Sequence, residues 1–65
     1  MDDKIVIDYK QKSYIVYRRD LESHEHFYTR AWLLVKHEPT TMDEYNKALM
    51  DSIKQTNEIY LKYTY

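Results

Sequence analysis

The chain contains no glycine and no cysteine and has a single proline among its 65 residues. Without glycine, the loops that cradle phosphates in P-loop and dinucleotide-binding folds are excluded as motifs, because their backbones need residues without a Cβ. Without cysteine there is no disulfide and no thiolate metal ligand. A chain this short buries only about 60% of the surface its unfolded form exposes, so it has few means of stabilisation. Packed aromatics and oligomerisation remain. Long apolar runs are also missing, and Met1-Asp2-Asp3-Lys4 has neither the basic nor the apolar region of a signal peptide. The expectation is one soluble α+β domain spanning 1–65, with no membrane association, working in the cytoplasm or inside a particle assembled in a cell. Ten basic and eleven acidic residues give a formal charge of -1, so no global field draws the chain to nucleic acid or anionic lipid.

What is present is tyrosine, eight in all, with Lys and Ile also frequent. Such residue usage resembles that of AT-rich genomes, including small viral and phage proteins, an association rather than a physical argument. Lys4 to Arg18 reads as a hairpin, since Ile5, Ile7 and Tyr9 alternate with Val6, Asp8 and Lys10, and a second alternation runs through Tyr14 to Tyr17. The turn falls within Lys10-Gln11-Lys12-Ser13, which lacks the Asn-Gly pair of tight turns, so a somewhat longer loop fits at least as well. Pairing Tyr9 with Tyr14 puts Val16 on the face of Ile5 and Ile7; a slip of one residue puts Ile15 and Tyr17 there instead. The slipped register separates polar from apolar slightly better and is the expectation.

Asp20 or Ser23 caps a first helix running to about His37. Its apolar arc holds Phe27, Tyr28, Ala31, Trp32, Leu34 and Val35, with Trp32 at the edge. Leu33 falls outside that arc, among His26, Arg30 and His37 on the side expected to be wet. Glu38-Pro39-Thr40 breaks the chain. Thr41 and Glu44 then form a capping box for a second helix, with Met42, Tyr45, Leu49, Ile53 and Thr56 on its apolar face and Ala48 beside them. Glu58 to Tyr65 alternates with Ile59, Leu61, Tyr63 and Tyr65 on one side, which predicts a third strand after a helix end at Asn57. The fold class expected is therefore ββααβ, an antiparallel sheet with helices on one face.

No residue pattern names a reaction. Ser13, Ser23 and Ser52 lack a strained elbow, and Asp2-Asp3 and Asp43-Glu44 read as a solvated terminus and favourable charge at a helix start. His24-Glu25-His26 is the only cluster resembling metal ligands, but His24 and His26 diverge by about 200° on a helix. The expectation is a protein without catalytic residues, cofactor or metal. Its work would be to bind a protein partner or a second copy of itself through exposed aromatic and apolar groups, with Trp32, Leu33, Tyr14 and Tyr17 as the contact residues. The second reading is a small nucleic-acid-binding regulator, since Tyr14, Tyr17, Arg18 and Arg19 combine aromatic faces and cations on one strand.

Overall fold

The computed structural model describes residues 3–64, with side chains as far as Lys62. Two six-residue strands, β1 (Lys4–Tyr9) and β2 (Lys12–Tyr17), form an antiparallel hairpin, followed by α1 (His24–Lys36) and α2 (Met42–Thr64). The pairs are Lys4 with Tyr17, Ile5 with Val16, Val6 with Ile15, Ile7 with Tyr14, Asp8 with Ser13 and Tyr9 with Lys12. This register corrects both the slipped expectation and the longer loop. Lys10 and Gln11 alone make the turn, both at positive φ (50° and 66°), the conformation that matches the right-handed twist of the flanking strands. At the turn, Lys10 Nζ lies 2.9 Å from Glu38 Oε1 and 5.5 Å from the centre of the Tyr9 ring. In consequence Tyr14 and Val16 share a face with Ile5 and Ile7, and Ile15 and Tyr17 turn away.

Beneath that face, Ile7, Tyr14 and Val16 meet Phe27, Ala31, Leu34 and Val35 of α1 and Ala48 of α2 to form the core. Full burial of each large apolar side chain is worth roughly 1.5–3 kcal/mol. The two helices meet along a seam of small residues, Ala48, Ser52 and Thr56, spaced four apart and all buried. Ser52 Oγ donates to Leu49 O (2.8 Å) and Thr56 Oγ1 to Ser52 O (2.6 Å), so both hydroxyls are satisfied within their own helix and add little bulk between the two. Met42, expected on the apolar face, is exposed.

The predicted third strand is not formed. Helix α2 continues through Asn57 to Thr64, so the sheet has two strands; Tyr65 lies outside the described residues. A helix already built extends at the cost of one residue's freedom per added hydrogen bond, whereas a new strand would require a chain reversal first. Ile59, Tyr60 and Leu61 are left exposed.

Helix starts follow their signals. Ser23 caps α1, its Oγ accepting from His26 N at 3.1 Å. Thr41 Oγ1 accepts from Glu44 N at 3.2 Å, as a capping box requires, but the Glu44 carboxylate returns to Thr40 instead, accepting from its amide (3.0 Å) and hydroxyl (2.6 Å). The Thr40 hydroxyl and amide hold the Glu44 carboxyl below its ordinary pKa. Thr41→Ala is expected to cost about 0.5–2 kcal/mol, read as a lower denaturant midpoint, because the Glu44 amide loses its acceptor.

Candidate functional site

The junction between hairpin and helices is built on charge. After β2 the chain turns at Asp20-Leu21, with Leu21 at a φ of 63° and Glu22 N donating to Arg19 O (3.2 Å). That turn drives Glu22 inward beneath the hairpin, where it meets Arg30 from the second turn of α1. Arg30 Nε donates to Glu22 Oε2 (2.8 Å), one terminal nitrogen donates to Glu22 Oε1 (2.9 Å), and the same nitrogen donates to Tyr17 O (2.7 Å). Arg19 N donates to Glu22 Oε1 (3.0 Å), and His26 Nδ1 lies 3.3 Å from Glu22 Oε2. Both charges are buried, and both Glu22 carboxylate oxygens meet two nitrogens of Arg30, the condition under which a buried ion pair is tolerated. Burial pushes the Glu22 carboxyl up, but the hydrogen bonds from Arg30 and the Arg19 amide, with the charges of Arg30 and His26, outweigh it and leave the carboxyl below its ordinary value.

The network continues to α2. His26 Nε2 lies 3.1 Å from Asn57 Oδ1, and the His26 ring meets Tyr60 edge-on at 5.6 Å. Together with Leu21 and Ser23 these residues line a shallow groove of about 280 Å³. The paired charges of Glu22 and Arg30, with His26 and Asn57, tie β2, α1 and α2 together. Among the described residues, no group of three or more His, Cys, Asp or Glu is arranged to hold a metal ion.

The sequence places Arg30 on a wet flank of α1; the structure buries it. That flank faces α2 and β2, and the Glu22 carboxylate supplies the charge that lets a guanidinium stay there. Leu33, on the same flank, is half-buried rather than free. The signal was available in the sequence only as a Glu eight residues before an Arg, which no helical spacing pairs.

The four expected partner contacts are dispersed. Tyr14, at 8% exposure, is a core residue and is withdrawn from both candidate surfaces, because its pairing with Ile7 turns it onto the helices. Tyr17 points the opposite way, at 64% exposure. Trp32 is half-buried against the core, with its ring 6.5 Å from that of Tyr28. Arg18 is occupied, donating to Glu22 O (3.2 Å) and Asp3 Oδ1 (3.1 Å), while Arg19 remains exposed. Tyr14, Tyr17, Arg18 and Arg19 therefore do not form one stacking platform. A second surface emerges in their place. The outer face of the hairpin carries Val6 (55% exposed), Ile15 (46%) and Tyr17, with no layer over it among the described residues.

Compared with known proteins, the chain matches no family model, no curated protein and no solved structure. Among the described residues, no helix is long and apolar enough to cross a membrane.

Proposed function

We propose that this chain is a non-enzymatic interaction module, an adaptor, structural component or inhibitor, that binds another protein through the outer face of its hairpin. The observation that carries this reading is the adjacent pair Val6 and Ile15 with Tyr17 beside them, all exposed and rimmed by Lys4, Asp8 and Ser13. Apolar and aromatic groups at the centre of a patch with polar groups around it are the anatomy of a protein contact. The two-stranded sheet has helices on one side only, so its own fold leaves this side open.

The variant Ile15→Asp with Tyr17→Asp changes only outward side chains. It is expected to keep the fold while losing the partner that wild-type protein recovers from its native source. Undiminished recovery by this variant overturns the proposed surface. For the nucleic-acid reading, the decisive comparison is binding of mixed oligonucleotides by wild type and by an Arg18→Ala, Arg19→Ala variant across salt concentrations. Tight wild-type binding that falls steeply with salt and is lost in the variant would move the function to that class.

A further inference from the structure

The open side of β1 is a second, distinct surface. Arg18 N donates to Asp3 O at 2.6 Å, which makes that pair a hydrogen-bonded rung of the ladder. Rungs alternate in an antiparallel pair, so Ile5, Ile7 and Tyr9 direct their amides and carbonyls toward β2. Lys4, Val6 and Asp8 therefore direct theirs outward. Among the described residues, no hydrogen bond reaches those outward backbone groups. The free edge of β2 is different, since the outward carbonyl of Tyr17 is taken by Arg30. Natural edges are commonly blunted by proline or a bulge. β1 has neither, and its one lysine is matched by an aspartate four residues on.

We propose that β1 pairs antiparallel with β1 of a second copy about a two-fold axis at Val6, joining the two hairpins into one four-stranded sheet. This deepens the interaction reading by naming one partner, at a surface separate from the outer face. The charge pattern selects both partner and register. Centred on Val6, the pairing sets Lys4 opposite Asp8 of the second copy and Asp8 opposite its Lys4, and all three residues have the outward backbone groups the new rungs need. Opposite charges facing each other across strands are stabilising and like charges destabilising. Moving the axis by one residue, to Ile5 or Ile7, still matches outward groups with outward ones but loses both Lys4–Asp8 pairs, so the charges decide the register. On the outer face, Ile15, Val6, Val6 and Ile15 then form one continuous row across the two copies. On the inner face the half-buried Ile5 meets Ile7 of the second copy.

The helices agree with this placement. Arg30 reaches Tyr17 on β2, and Trp32, two residues later and about 200° round the helix, faces the other flank, on the side of the β1 edge. Trp32 and exposed Tyr28 thus lie where the α1 helices of two copies would approach each other. A net charge of -1 opposes that approach little.

Sedimentation equilibrium on the full chain tests the pairing. Wild type is expected to be a dimer, and Lys4→Asp or Asp8→Lys alone should weaken association about tenfold or more, each placing two like-charge pairs across the axis. Mixing the two single variants should restore a heterodimer, since every facing pair is again opposite in sign. That rescue separates a broken interface from a damaged fold. Val6→Pro, which removes an outward amide and no hairpin hydrogen bond, should also be monomeric. A wild-type monomer at all concentrations, single variants that associate like wild type, or a mixture that stays monomeric would each overturn the pairing. A monomer that still recovers its partner through Ile15 and Tyr17 overturns the pairing alone; a dimer that recovers nothing overturns the proposed function alone.

Discussion

Glu22→Ala is expected to cost about 3–5 kcal/mol, because it leaves the buried Arg30 guanidinium without its carboxylate. For a domain of this length, with a total stability of roughly 3–10 kcal/mol, that loss leaves much of the population unfolded at physiological temperature. Glu22→Gln keeps the shape but removes the charge, and should fall between wild type and alanine. The same carboxylate sets the acid limit of the fold. Its folded pKa lies below the ordinary 4.5, so its contribution is fully present above that value and is lost as pH falls through the lower, folded value. Thermal denaturation followed from neutral pH to below pH 4.5 should show this decline in wild type and a flatter acid limb in Glu22→Gln. Equal acid sensitivity in the two proteins would show that Glu22 is not the responsible group.

Val16→Asp is expected to abolish folding, and Ile15→Asp to cost no more than about 1 kcal/mol. Val16 is 1% exposed beneath the hairpin, where a carboxylate would find no partner, while its neighbour Ile15 faces water. Circular dichroism of the two variants reads which face of β2 is buried. A tolerant Val16 and a sensitive Ile15 would put the other face of β2 against the helices.

That contrast shows how far the sequence could be read. Alternation located both strands, and the apolar spacing located α1 and the start of α2, because period and capping are local properties. Register was not local. Separation of polar from apolar favoured the slipped pairing, but a two-residue turn at Lys10-Gln11 fixes the strands opposite each other whatever their outer faces carry. The Tyr14 error follows from the same cause, since one step in register decides whether that ring anchors a partner or fills the core. At the C-terminal end alternation predicts a strand, but the helix continues and leaves Leu61 exposed, which costs a surface helix little. Asn57, expected to end α2, instead stays in the helix and approaches His26. The Glu22–Arg30 pair depends on a turn at Leu21 that carries no glycine or asparagine to announce it.

Among the described residues, four sit in left-handed backbone: Lys10, Gln11, Leu21 and Glu38, none of them glycine. For an L-residue this region costs roughly 1–2 kcal/mol relative to right-handed geometry. Glycine would adopt it freely, offset in part by the greater freedom it returns to the unfolded chain. All four lie in turns or at helix boundaries and outside the core, so the molecule keeps a reserve of stability in its connections. Laboratory selection for heat tolerance should therefore draw glycine into Gln11, Leu21 and Glu38 before it alters any core residue, and a homologue richer in glycine at these positions would withstand losses at the Glu22–Arg30 junction that this chain does not.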